Sequence, residues 1–391
     1  MRKSFFLGLL GLAAVMVLPI AGLYLFGIEP NGHSGMTSTV GSGLLLAGAV
    51  DMFSTRTLLA ALEYIKKPTT FFLDLFFTVV DPVDSDTIDI DIIRDGEKMA
   101  TFVSPIVEGK VVTRDGFVTH TIKAPYIKEK MLLTPKDLMI REPGKTIYGP
   151  NDGQQQRIQK TLAKDLLYML DRITRREEWM AAQGLTTGKI NVTGEGVPTR
   201  QIDFGMKSTH LPVLSGTAKW DDTTNSDPIA NLNTWVELIL DDSGRNATKV
   251  VMGKTALRLF LNHPKVKAVL DTRRMVVGDV APGLLNNGAR KIADWYDPNV
   301  EIWTYAGKYI DPADGAKKDL MPATGVLIGA TGTRCERHYA KIQDLEAGDA
   351  VVRYFPKSWP VKDPSGQWIM VQSAPLPAPH EIDAFVMATV A

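Results

Sequence analysis

The sequence predicts an α+β protein, on three observations. Thr87–Ile93 alternates Ile88, Ile90 and Ile92 with Asp89 and Asp91, the period of two that marks a half-buried strand. Residues 154–183 carry Ile158, Leu162, Leu166, Met169, Leu170 and Ile173 at helical spacing over several turns. From Lys249 onward, short strand-like runs and helices mix without any repeat.

Taken in order, the chain opens with an uncharged run. Residues 5–27 follow Arg2 and Lys3 and are long enough to cross a bilayer. The same layout suits a signal peptide, although no clear small-x-small site ends the run. Globular patterning begins only near Met52, so three readings compete. The start is misassigned and Met36 or Met52 is native, or the segment is a membrane anchor, or it is a cleaved signal. The expectation is that mature protein lacks it, because an exposed apolar run this long is costly in a soluble assembly.

Residues 54–67 predict an amphipathic helix with Leu58, Leu59, Leu62 and Ile65 on one side, stopped by Pro68. Phe71, Phe72, Leu75, Phe76 and Phe77 then form an apolar patch that something must cover. Two strand-like runs, 102–113 and 117–133, flank Arg114-Asp115-Gly116, and Asp-Gly between β-rich runs is a hairpin signal. A ribbon so long has little core of its own and needs another surface. On the helix at 154–183, basic residues are interspersed with Asp165, Asp171, Glu177 and Glu178. Either a basic face meets nucleic acid or the surface is solvated and salt-bridged, and the second reading is preferred. Strand candidates follow at 189–193 and 200–204. Asp227-Pro228 opens a helix as N-cap and first turn, with Ile229, Leu232, Val236, Ile239 and Leu240 as its apolar face. Lys249–Met252, 300–305, 326–329, 368–372 and 385–390 read as strands, and 255–261 as a helix.

Composition narrows the function. The chain has 391 residues, 45% hydrophobic and 23% charged, which is globular. Lys+Arg and Asp+Glu both number 44, so there is no basic excess for a dedicated nucleic-acid binder, and any such contact is weak and sequence-blind. Cys335 is the single cysteine, which excludes an intrachain disulfide and fits a lone thiol packed as a small hydrophobe. The acidic run Asp84, Asp86, Asp89, Asp91 and Asp95 lacks the spacing of a calcium loop. No phosphate loop or nucleophile elbow occurs, and the histidines His33, His120, His210, His263, His338 and His380 are scattered. No catalytic, cofactor or metal residue is expected.

Six runs together resemble the lambda capsid protein E family. They are Met99-Ala-Thr-Phe-Val-Ser-Pro-Ile-Val-Glu-Gly109, Gly188-Lys-Ile-Asn-Val-Thr-Gly-Glu195, Val266-Lys-Ala-Val-Leu-Asp-Thr-Arg-Arg274, Tyr305-Ala-Gly-Lys-Tyr309, Phe355-Pro-Lys-Ser-Trp359 and Val371-Gln-Ser-Ala-Pro-Leu376. They occur in the family's order from Met52 to the C-terminus. The resemblance implies the Hong Kong 97-like capsid fold, with an N-terminal extension at 1–51, an arm at 52–95 and an extended β-hairpin loop at 96–136. A peripheral domain with a spine helix at 137–227, an axial domain at 228–351 and returning strands at 352–391 complete it. It implies a structural subunit of an icosahedral phage head, in the virion and, during assembly, the host cytoplasm. Subunit contacts are expected at Phe102, Val103, Asp115, Gly116, Phe117, Arg273 and Arg274. The implied partners are further copies in hexamers and pentamers, scaffolding, portal and decoration proteins, and interior DNA bound weakly. The alternatives are a nanocompartment shell of the same fold and a membrane-anchored enzyme suggested only by residues 5–27.

Overall fold

The computed structural model describes residues 53–64, 70–93, 99–100, 102–106, 108–109, 111, 117–139, 154–194, 196–272, 288–296, 298–348 and 351–391. All of them belong to the unit Val50–Ala391. The uncharged run at 5–27 lies outside them. Among the described residues no helix is long and apolar enough to cross a membrane.

The chain enters through helix α1 (Thr55–Tyr64) and the single turn α2 (Phe72–Leu75). Strands β1 (Val79–Val83), β2 (Thr87–Ile93), β3 (Phe117–Lys123) and β4 (Ile127–Leu133) follow, then the short helix α3 (Pro135–Met139). The long helix α4 (Gln154–Thr187) leads into the pair β5 (Lys189–Gly194) and β6 (Val197–Asp203). Helix α5 (Pro228–Ser243), strand β7 (Lys249–Met252) and helices α6 (Lys254–Asn262) and α7 (Pro264–Thr272) come next. The C-terminal part is β-rich, starting with β8 (Ala289–Tyr296), β9 (Asn299–Tyr305), β10 (Lys308–Ile310), β11 (Lys317–Asp319) and β12 (Gly325–Gly329). It ends with β13 (Cys335–Ala340), β14 (Phe355–Val361), β15 (Gly366–Ser373), β16 (Pro375–Pro379) and β17 (Phe385–Thr389). The class is α+β, as expected.

A five-stranded sheet, ordered β17-β12-β7-β9-β8, separates two cores. Successive side chains point to opposite faces, so each strand feeds both. Val250, Met252, Val326, Ile328, Val386 and Ala388 face α5 and α6, where Trp220, Trp235 and Phe260 pack. Val251, Leu327, Phe385 and Met387 face the other way, onto Phe71, Phe72, Phe76 and Phe77 and onto Ala181 and Leu185 of α4. The aromatic patch after α1 thus finds its cover inside the same chain. On α5, Asp227 accepts from the N–H groups of Ile229 and Ala230, as an N-cap should. The buried face differs in detail: Trp235 is inside and Leu240 outside.

The expected hairpin is paired differently. β3 runs antiparallel to β2, from Thr87↔Lys123 to Ile93↔Phe117, and not to 102–113. The described residues between 99 and 111 form no strand. The run 117–133 is also broken. Pro125 has no N–H to give a ladder, and Ala124 N–H instead donates to the Asp86 carbonyl at 3.2 Å. Beyond that break, β4 joins a second sheet, ordered β14-β15-β4. Ile122 and Ile127, expected on the free ribbon, therefore pack within the chain. Strands β1, β14 and β16 all contain proline, and all three are edge strands of their sheets, where a missing donor costs no ladder bond.

Gly253 shows how tightly the central sheet meets its loops. It precedes α6, and a Cβ there would strike the carbonyl oxygen of Pro322 and lie 2.6 Å from that of Ala323. These are backbone atoms that also accept from Gly325, Thr255 and Ala256, so they have little freedom to retreat. Gly253→Ala is expected to cost ~1–3 kcal/mol through overpacking. Urea unfolding of the subunit measures it, and an unchanged midpoint would show that the 322–323 turn moves freely.

Candidate assembly surface

Helix α4 is the element against which the lobe is organised. Its first half buries Leu162, Leu166, Met169, Leu170 and Ile173 against α1 and the β14-β15-β4 sheet. The outer side carries exposed ion pairs, Arg172 with Glu129 at 3.1 Å and Arg175 with Asp171 one turn away. Such pairs are worth little each, and they match the reading of a solvated surface.

Glu177 and Glu178, expected on that same surface, are instead buried. They sit one turn beyond Ile173 and Thr174, in line with the apolar stripe, and that register was the signal available in the sequence. Glu178 accepts the backbone N–H groups of Phe71 at 3.0 Å, Phe72 at 2.8 Å and Leu73 at 3.2 Å. It thereby satisfies the opening turn of α2 and pins α2 to α4. Burial pushes its carboxyl up, and those three N–H groups oppose the shift. Glu177 binds Arg353 at 2.8 Å and the phenols of Tyr339 at 3.1 Å and Tyr354 at 3.4 Å. Burial pushes the Tyr339 phenol up, and that of Tyr354 up to about 12, so both remain donors at neutral pH.

The outward counterpart of this anchored lobe is the connection between β2 and β3. Phe102 is 104% exposed and Ile106 95%, with Met99 and Val111 nearly as open. Four large apolar side chains on one short segment are more than a monomer surface usually leaves bare. Of the expected contact residues, Phe102 and Val103 are both exposed there. Asp115, Gly116, Arg273 and Arg274 lie outside the described residues, as does the side chain of Phe117.

The fold also joins groups that the sequence left scattered. His338 and His380 meet beside Glu336 and Asp81. Asp81 lies on β1, Glu336 and His338 on β13, and His380 directly after β16, so no local spacing announced them. Cys335 points away into the core, and burial pushes its thiol up to about 12. It is an inert packed thiol.

Comparison with known proteins extends over nearly all of this architecture. The family described as phage major capsid protein E matches residues 54–390. The major capsid protein of Escherichia phage lambda is 29% identical over 349 residues, covering 88% of this chain and 100% of the relative. The P21 prophage-derived major head protein of Escherichia coli O6:H1 (strain CFT073) is 29% identical over 346 residues, covering 87% and 99%. A crystal structure described as that of a prophage capsid protein from Escherichia coli CFT073 aligns with a TM-score of 0.65 at 26% identity. It covers 86% of this chain and 99% of that one.

Proposed function

The chain belongs to the phage major capsid protein E family, and from that premise we propose that many copies close into an icosahedral head around phage DNA. Its role is that of a structural capsid subunit with the Hong Kong 97-like fold. The observation that carries this reading is the extent of the match. Residues 54–390 take in both faces of the central sheet, helix α4 and the returning C-terminal strands, not one shared module.

A closed shell places identical subunits in slightly different surroundings. Rigid lobes fix the lattice, and apolar segments that reach a neighbour tolerate the differences. In this reading 52–95 is the arm and 96–136 the loop laid over an adjacent subunit. Residues 137–227 form the peripheral domain, 228–351 the axial domain and 352–391 the return to the core. Hexamers and pentamers are the units, with Phe102, Val103, Asp115, Gly116, Phe117, Arg273 and Arg274 at subunit contacts. Scaffolding, portal and decoration proteins join in the host cytoplasm, packaged DNA is held weakly, and no reaction is catalysed.

Velocity sedimentation and negative-stain microscopy of the chain started at Met52 test the proposal. Closed shells or hexamer and pentamer rings, with nucleic acid inside the shells, are expected. A monomer that persists at high concentration with a scaffolding protein present overturns it. Shells filled with cargo protein and free of nucleic acid would replace the phage head by a nanocompartment.

A further inference from the structure

We propose that Glu336, His338 and His380 bind one divalent ion of the zinc class, which staples β13 to the end of β16. Glu336 and His338 are two apart on β13, so the strand turns both to one face. His380 follows β16 directly, and its backbone N–H donates to the Arg334 carbonyl at 2.9 Å, which holds it beside β13. The donor atoms converge. The two Nε2 atoms lie 2.9 Å apart. Glu336 Oε2 is 3.8 Å from the Nε2 of His338 and 3.7 Å from that of His380. Tetrahedral zinc with bonds of about 2.0–2.1 Å sets its ligand atoms roughly 3.3 Å apart. The observed triangle brackets that spacing, so small side-chain shifts suffice.

The groups behind the donors are arranged as a metal site needs. His338 Nδ1 lies 2.9 Å from Asp81 Oδ2, and the two residues are in register across the β1–β13 pair. A carboxylate only accepts, so Nδ1 is the donor here, which leaves Nε2 as the ring nitrogen to meet a metal. Metal-bound histidines ordinarily donate their second N–H to a carboxylate in this way, which fixes the tautomer and strengthens the ligand. Arg334 Nε holds Glu336 Oε1 at 3.2 Å, leaving Oε2 toward the imidazoles. Both histidines are buried, whereas Glu336 and Asp81 keep contact with solvent. An ion can thus enter from the carboxylate side. Two imidazoles and one carboxylate suit zinc and its late first-row neighbours, while calcium and magnesium prefer oxygen throughout. The described histidines elsewhere do not converge: His210 sits between Asp242 and the Phe385 carbonyl, and His263 against Ser226.

The test uses the full chain without a histidine tag, stripped with chelator and dialysed against zinc chloride. Elemental analysis is expected to find one zinc per chain, and zinc should raise Tm in a way that chelator reverses. Cobalt(II) in its place should give the intense visible absorption of a four-coordinate ion. His380→Gln and Glu336→Gln are each expected to lose the bound zinc, and Asp81→Asn to weaken its affinity by about 10–100-fold, the usual effect of removing a supporting carboxylate. Zinc far below one per chain in the wild type overturns the site, as does full zinc retained in both ligand variants. If the variants fail to fold by circular dichroism, the wild-type cobalt spectrum decides: weak, six-coordinate absorption overturns the proposal.

Discussion

Replacing residues 99–111 with a Gly/Ser linker of equal length is expected to abolish closed shells while leaving the lobe folded. Met99, Phe102, Ile106 and Val111 project into solvent with almost no cover from their own chain. Burying side chains of this size contributes about 1.5–3 kcal/mol each, and ordering the segment subtracts from that sum. In a closed lattice every subunit makes the contact with one neighbour and receives it from another, so the loss recurs at each junction. The lobe is spared for a structural reason. The β2–β3 ladder closes from Thr87↔Lys123 to Ile93↔Phe117 outside the replaced stretch, and Ile88 and Ile90 remain buried beneath it. A wider cut, through 102–130, would instead remove β3 and take β4 from its pairing with β15, confusing assembly with unfolding. Sedimentation reads assembly and circular dichroism reads the lobe. Normal closed particles from the replaced chain would show that this segment is not an assembly element.

Glu177→Ala is expected to destabilise the unassembled subunit by ~3–5 kcal/mol, the usual cost of removing one partner from a buried ion pair. The variant leaves the Arg353 guanidinium largely enclosed without its carboxylate, and takes the acceptor from the Tyr339 and Tyr354 hydroxyls. The side chain of Arg353 is only 22% exposed, so water compensates in part at best. Urea denaturation measures the effect. Arg353→Ala should cost nearly as much, and the double variant clearly less than the sum, because the two residues share one interaction. A cost under ~1 kcal/mol for Glu177→Ala would mean that Arg353 swings out to water, against the geometry. The stake is mechanical. Glu177 links α4 to β13 and to the approach to β14, while Glu178 links α4 to α2. A lobe loosened at this point could not hold a lattice register.

Features set by neighbouring residues were legible in the amino-acid sequence. The Ile/Asp alternation of Thr87–Ile93 became β2 with Ile88 and Ile90 buried, because a period of two has one structural solution. The periodicity from Gln154 became α4, which runs on to Thr187, where Gly188 at φ 67° ends it. Asp227-Pro228 became a capped helix start, since the cap is made within three residues. The ordered capsid-like runs carried the family. Which distant pieces meet depended on contacts between segments far apart in the chain. The Asp115-Gly116 signal did not reveal which strand β3 would pair with, and its register with Thr87–Ile93 rests on the core under Ile88 and Ile90. The proline-bearing strands became strands because edge positions ask for half the hydrogen bonds. Glu177 and Glu178 read as surface charges until α2, Tyr339 and Arg353 closed over them. His338 and His380 stand 42 residues apart, and the pairing of β13 with β16 brings their Nε2 atoms to 2.9 Å. A residue's chemistry can be read from its type, but its desolvation and partners belong to contacts between segments that no local pattern encodes.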